Sequence, residues 1–347
     1  MAAERVLSTL ELNRAVLARQ HLLEPSTATI PKTIAAIGAI QSQYAPSMYV
    51  GLWSRMRDFE RDALTRALEQ RAVVQATLMR VTVHLVATRD YWPFALATRA
   101  ARRALWLRSM RRRVTEGELE ALAERVRAYL DEHGQISRRQ LGALVGKQHA
   151  IGVGLWIDLV RVPPSGTWER RRADLFAAAH SWVGPAPEMT AEEAAAQLVR
   201  SYLAGFGPAT RADIASYTGL SRGELAAALE QLTSRSFRSE GGEELLDVPR
   251  AALPDPEQPV PVRYLPTWDA TLLVHARRAA ILPEQHRTRI FHVRKPHSEA
   301  VFLVDGAAAG TWRYRDGRVE LEPFERLDRT TERELRAEAD RLAAFHA

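Results

Sequence analysis

The sequence has no cysteine in its 347 residues. That excludes disulfides, thiolate metal sites and cysteine nucleophiles together. Lysine is nearly as scarce, with Lys32, Lys147 and Lys295 the only examples. No apolar run approaches the roughly 20 residues that a bilayer-spanning helix needs. The opening stretch MAAERVLSTLELNRA carries acids early and lacks the apolar core of an export signal. A cytoplasmic, nucleoid-associated protein with no membrane partner is expected. Several enzyme signatures are also missing. There is no Gly-rich phosphate loop ending in Gly-Lys-Ser/Thr, no dinucleotide fingerprint and no Gly-x-Ser-x-Gly elbow. Ten histidines occur, but none pair at i, i+4 around a glutamate, and HARRAAILPEQH (His275 to His286) has no recognisable metal-ligand spacing. No cofactor and no metal are therefore expected.

What is abundant is arginine. The net charge is +6 and the isoelectric point about 9.9. Such a balance favours a polyanionic partner, and guanidinium groups suit bidentate phosphate contacts. A GC-rich coding sequence produces the same bias without any such partner.

Helices dominate the first two thirds. Ser8/Glu11, Thr115/Glu118, Thr190/Glu193 and Ser221/Glu224 have capping-box spacing, and each opens a periodic apolar run. Two stretches repeat one another. GQISRRQLGALVG begins at Gly134 and GPATRADIASYTG at Gly207, each with a hydroxyl to cap a helix and a glycine to end it. The second copy continues into the helix SRGELAAALEQL and then into SFRSEGGEELLDVP, which reads as a hairpin. The first is followed by the strand-like LVRVPPSGTWERRRADLF. The N-terminal segment follows the same order more loosely: helices LELNRAVLARQHLL, PKTIAAIGAIQ and ALTRALEQR, then a hairpin over VVQATLMRVTVHLV.

Helix, turn, helix and hairpin is the order of a winged helix. The spacing predicts a mainly α protein with β (α+β): three tandem winged-helix units over 1–112, 113–188 and 189–258. VPRAALPDPEQPVPVRYLP reads as a linker. A β-rich unit over 259–347 then follows, with short strands in VRYLP, TRIFHV, AVFLVDG, GTWRYRDG and RVELEPF, and DRTTERELRAEADRLAAF as a closing helix.

Three stretches are candidates for chemistry. In RVTVHLV the alternation puts Arg80, Thr82 and His84 on one face of a strand. SGTWERRRADLF sets Trp168 beside Arg170, Arg171 and Arg172, suited to phosphate contact with stacking on a base or sugar, though equally to a basic loop around a core tryptophan. Arg211 and Arg222, early in the two helices of the third unit, suit phosphate contacts. Finally, AIGAIQSQYAPSMYVGLWSR places Gln41 and Gln43 two apart. Pro46 disfavours helical geometry before it. In an extended segment the two amides share a side, whereas on a helix they lie nearly opposite.

The chain resembles the AlkZ/YcaQ-like family of tandem winged-helix DNA glycosylases. The stretches that carry the likeness are AIQSQYAPSMYVGLWSR, LMRVTVHLVATRDYW, LVRVPPSGTWERRRADLF, YLAGFGPATRADIASYTGL and YLPTWDATLLVHARR. They run in the family's order from about residue 10 to residue 320. The resemblance implies a C-terminal β-barrel and a chain curved around duplex DNA; with three units already in one chain, a monomer is expected. It also implies excision of bulky or crosslinking N7- or N3-alkylpurines, including a role in self-resistance to genotoxins. It puts the catalytic Gln-x-Gln step on Gln41 and Gln43. Ser42 departs from the apolar middle residue of that motif.

The chemistry is consistent. An N7- or N3-alkylated purine is cationic and leaves as a neutral base, so no general acid is required. What remains is to position water and stabilise an oxocarbenium-like sugar, which an amide carbonyl does modestly. A lyase step needs an amine, and Lys32 alone lies nearby in sequence, so a monofunctional hydrolase is expected. The alternative is a non-catalytic winged-helix DNA-binding regulator or architectural protein. An RNA-binding protein is a further alternative. Regulators with a single such module dimerise to read two half-sites, so a monomer favours the enzyme.

Overall fold

Each of the four hydroxyl-to-glutamate spacings opens a helix: Thr9–Arg19, Glu116–His133, Ala191–Phe206 and Arg222–Glu230. In every one the cap hydroxyl accepts the backbone N–H of the third helical residue, and the glutamate there reaches back to the cap's own N–H. Helix starts carry backbone donors with no internal partner, and satisfying them is worth about 1 kcal/mol per cap. The computed structural model describes residues 5–110, 113–274, 281–291 and 298–347. Among these no helix is long and apolar enough to cross a membrane.

The architecture is α+β, and one arrangement occurs three times: a helix, one short extended stretch, two helices, then a hairpin. First come Ile30–Ile37, the strand Ile40–Gln41, helices Ala45–Trp53 and Arg61–Glu69, and the hairpin Val73–Thr77 with Val83–Ala87. Second come Glu116–His133, Ile136–Ser137, helices Arg138–Val145 and Gly154–Ile157, and the hairpin Leu159–Arg161 with Leu175–Ala178. Third come Ala191–Phe206, a bridge at Ala209, helices Arg211–Thr218 and Arg222–Glu230, and the hairpin Arg235–Ser239 with Glu244–Asp247. Each time the short stretch pairs antiparallel with the second hairpin strand: Ile40 with Leu85, Ile136 with Phe176, Ala209 with Leu246.

The first two hairpins join edge to edge, Gln75 opposite Arg161 and Ala76 opposite Val160, so six strands form one sheet. That union hides the edges that would otherwise template aggregation. The N-terminal strand Val6–Leu7 runs parallel to Arg235–Ser239, so the start of the chain extends the third sheet. No helix or strand occurs over residues 248–262, the stretch read as a linker.

Beyond it Arg263–Leu265, Val301–Val304, Ala307–Arg315 and Arg318–Pro323 form an antiparallel four-stranded sheet. Its two tight turns are Asp305-Gly306 and Asp316-Gly317, with positive φ at all four residues, as two-residue hairpin turns require. The barrel implied by the resemblance is not found. Among the described residues the sheet stays open. The helix Arg329–His346 packs against it, burying Leu335, Ala339 and Leu342. Four short strands are too few to curl closed. Tyr49, Trp168, Tyr264, Phe302 and Trp312 share a buried cluster that fixes this unit against the first helix pair.

Two sequence expectations fail locally. The helix expected through PKTIAAIGAIQ stops at Ile37, because Gly38 turns the chain at φ +90. In TRIFHV, Arg287–Ile290 is a short helix and Phe291 only bridges to Ser298, while His292 and Val293 lie outside the described residues.

Candidate active site

After Gly38 the chain is extended. Ile40 and Gln41 pair with Leu85 and His84, and the Ser42 N–H donates to Val83 O at 2.8 Å. Tyr44, with φ −116 and ψ 120, is the N-cap residue of Ala45–Trp53 and supplies no side-chain cap. Proline is favoured at the first turn of a helix, so Pro46 fixes where this one starts. Gln41 and Gln43 therefore lie on one side of an extended segment, and Gln41 Nε2 donates to Gln43 Oε1 at 2.5 Å. Gln41 is 4% exposed, whereas Gln43 faces solvent. Between them Ser42 is buried and its Oγ has no hydrogen-bond partner.

His84 is the cross-strand partner of Gln41 and is buried, not solvated. Its Nδ1 lies 3.0 Å from Thr82 O. A carbonyl only accepts, so Nδ1 carries the proton and Nε2 holds a lone pair, with no partner of its own. Burial, with the Arg80 charge acting in the same sense, pushes the imidazole down to about 3. The ring is neutral at physiological pH.

Arg80 and Thr82 do not share a strand face with His84. The strand begins only at Val83, because Met79–Val81 forms a tight turn with Arg80 at φ 55 and Val81 at φ 59. Left-handed geometry at two consecutive side-chain-bearing residues, one of them β-branched, costs about 1–3 kcal/mol each. Thr82 Oγ1 closes the turn on Met79 O at 3.0 Å. Arg80 swings across to the third unit. Its Nη1 donates to Tyr217 O, its guanidinium lies 5.2 Å from the Tyr217 ring centroid, and Nη2 stands 3.5 Å from Gln41 Oε1. Burial lowers its pKa from the ordinary guanidinium value, opposed by the charge interactions with Tyr217 and Tyr202.

The basic loop after Leu159–Arg161 approaches from the other side. Gln75 Nε2 holds it at Gly166 O, 3.0 Å away, and Ser165 Oγ accepts from the N–H groups of Asp174 and Leu175. Trp168 belongs to the core: 5% exposed, edge-on to Tyr49 at 5.6 Å and to Phe345 at 5.5 Å. Its ring is not available to stack on a base, which corrects that expectation. The arginines around it are exposed. Arg170 pairs with Asp174 at 2.9 Å, and the Arg172 carbonyl accepts from Ser165 Oγ. Arg171 Nη1 donates to Tyr44 Oη at 3.1 Å, which brings this loop beside the residue that follows Gln43.

A cleft of about 410 Å³ opens there, walled by Tyr44, Ser47, Arg171, Trp312, Tyr314 and His346. Sequence reading missed Tyr44 and Tyr314. Tyr44 is 46% exposed directly after the glutamines, and its position was the available signal. A second cleft, of about 540 Å³, lies between the helix Thr88–Ser109 and the turn after Arg211–Thr218, with Arg80, Arg108, Gly219 and Ser221 on its wall. Arg211 and Arg222 are exposed at the starts of their helices, and Arg211 meets Glu244 at 3.4 Å. Among the described residues no group of three or more His, Asp or Glu is placed to hold a metal ion. What converges at the junction is a pair of amides, a neutral imidazole and one half-buried guanidinium.

Comparison with known proteins finds both a family and a solved structure. A family model described as DNA glycosylase AlkZ-like covers residues 34–345. The solved structure of Streptomyces sahachiroi DNA glycosylase AlkZ superimposes with a TM-score of 0.82 at 19% identity, covering 98% of this chain and 97% of that one. At that identity the likeness speaks to the fold. No curated protein sequence matches significantly.

Proposed function

Because the chain belongs to the AlkZ-like DNA glycosylase family, we propose that it is a monofunctional hydrolase of bulky or crosslinking N7- and N3-alkylpurine adducts in duplex DNA. The observation that carries this reading is the hydrogen-bonded pair Gln41–Gln43, one amide buried and the other open to solvent. Alkylation puts a positive charge on the purine. The C1′–N9 bond then breaks with its electron pair going to the ring, and the base departs neutral. Gln43 holds the incoming water through its outward amide, the oxygen bonds to C1′, and the released proton passes to solvent. Carbonyl dipoles oppose the positive charge that develops on the sugar. Neither amide can protonate a neutral base, so undamaged purines stay put.

The three repeated arrangements read as winged-helix units, with boundaries near residues 112, 188 and 258. As a monomer they hold the duplex from several sides. Arg170, Arg171, Arg172, Arg211 and Arg222 supply phosphate contacts, with Tyr44 and Tyr314 as the exposed aromatics near the site. Each neutralised phosphate steepens the fall of log affinity with log salt by about 0.9.

The test is direct. Purified protein mixed with a duplex carrying one N7-alkylguanine should release the alkylated base and leave an abasic site, unaffected by chelator. Tight duplex binding with no release of either small or bulky adducts would return the protein to the class of non-catalytic DNA binders.

A further inference from the structure

We infer that Arg80 is a positioning residue for the glutamine pair and not a phosphate ligand, an inference that rests on the glycosylase reading for its kinetic part only. The turn that carries Arg80 is built in a conformation most side chains avoid, φ 55 followed by φ 59. That geometry carries the guanidinium into the seam between the first hairpin and the third unit, on the wall of the cleft of about 540 Å³. There both terminal nitrogens have protein acceptors: Nη1 on the carbonyl of Tyr217 and Nη2 on Gln41 Oε1 at 3.5 Å, with the planar group over the Tyr217 ring at 5.2 Å. A bidentate phosphate contact through those two nitrogens would compete with these bonds.

Its chemistry dictates the rest. A guanidinium only donates. The Gln41 amide must therefore turn its oxygen to Arg80, which leaves its NH₂ to face Gln43. The 2.5 Å contact from Gln41 Nε2 then requires Gln43 to present its oxygen in turn. Arg80 thus sets the orientation of both amides in sequence. Without a donor-only neighbour, either amide can rotate by half a turn and exchange carbonyl for NH₂. Charge itself is of no use here, since a cation opposes the positive sugar that forms in the reaction. His84 does not compete for the role: its Nδ1 is committed to Thr82 O, and its Nε2 lone pair can only accept. The carbonyl that anchors Arg80 belongs to the helix Arg211–Thr218, so the third unit takes part in aligning a site carried by the first.

The test uses Arg80→Lys, which keeps the charge and removes the fork, in the full-length protein. Single-turnover excision of N7-alkylguanine should fall by roughly 10–10²-fold, the scale of misplacing one catalytic group. Duplex Kd and the slope of log Kd against log salt should not move in this variant or in Arg80→Gln, which removes the charge. In the Gln41→Ala background the same substitution should add nothing further, an outcome that simple loss of structure would not give. A weaker Kd with a shallower salt slope would make Arg80 a phosphate contact and overturn the inference. So would an unchanged rate, or additive effects in the double variant. A second readout does not depend on activity. The side-chain amide resonances of Gln41 and Gln43 in ¹⁵N-labelled protein, assigned by Gln→Ala subtraction, should show one Gln41 amide proton protected from exchange. Arg80→Lys should abolish that protection, and protection that survives contradicts the orientation role. Absence of excision by the wild type would count against the glycosylase reading alone, because the amide measurement would still decide the role of Arg80.

Discussion

The same structural junction occurs three times, and two of the copies use their polar side chains differently from the third. Where Ile136–Ser137 runs into its helix, Ser137 Oγ accepts from the N–H of Gln140 at 3.2 Å and Gln140 Oε1 accepts from the N–H of Ser137 at 2.9 Å. Where Ala209 precedes Arg211–Thr218, Thr210 and Asp213 make the same exchange, both bonds at 3.1 Å. At the first junction the cap position holds Tyr44, which caps nothing, and a proline begins the helix. Gln41 and Gln43 take no part in capping; they bond to each other, and Gln41 also accepts from Arg80. The difference teaches that a junction stabilised by local side chains is inert. One whose polar side chains are turned away from the helix start has groups to offer a substrate. The strained Arg80-Val81 turn beside it is a second local cost borne at the same place.

The largest contrast is expected in rate. Gln41→Ala and Gln43→Ala should each slow base excision by roughly 10²-fold, since each removes one positioning or electrostatic group. Duplex affinity should stay close to wild type in both, because a neutral amide adds little to phosphate binding. Full-rate excision by both variants would place the chemistry elsewhere.

Next in size is a dependence on pH. His84 is held down at about 3 when folded, against about 6.5 unfolded, so between those values the unfolded chain binds the extra proton. Stability conferred by the neutral buried ring is complete above pH 6.5. It is lost as pH falls toward 3, at a slope of at most roughly 1.4 kcal/mol per pH unit. Denaturant melts at pH 7 and pH 5 measure this, and His84→Gln should flatten the difference. No matching titration should appear in the excision rate between pH 6 and pH 9, because amides do not ionise there.

The smallest effect belongs to the inert junctions. Ser137→Ala and Thr210→Ala should each lower unfolding free energy by about 1 kcal/mol, the ordinary cost of losing a cap. Excision rates should be unaffected. A rate loss from either that matched the glutamine variants would erase the distinction between the junctions.

Much of this was legible in the sequence. The capping boxes at Ser8, Thr115, Thr190 and Ser221 depend on local hydrogen bonds between residues three apart, and all four form. The paired copies at Gly134 and Gly207 announced the repeat for the same reason. The first copy was harder to read, because its junction lacks the hydroxyl cap that marks the others, and the helix Ala45–Trp53 was hidden behind Pro46. Side-chain destinations set by distant contacts were not legible at all. Alternation put Arg80 on a strand face, but it takes a left-handed turn to reach Tyr217, 137 residues away. Trp168, surrounded by arginines in sequence, is claimed by Tyr49 and Phe345 from elements far along the chain. His84 gave no sign of burial, because its neighbour in the sheet, the strand Ile40–Gln41, comes from an earlier part of the chain.

The central claim is that two amides suffice because the leaving group supplies its own activation. The measurement that reaches it most directly compares two adducts in one duplex sequence under single-turnover conditions: cationic N7-alkylguanine and neutral O6-alkylguanine bearing the same alkyl group. The account predicts release of the first and no detectable release of the second, with equal binding of both duplexes. Release of the neutral adduct at a comparable rate would mean that the site supplies a proton to the base, and would contradict it.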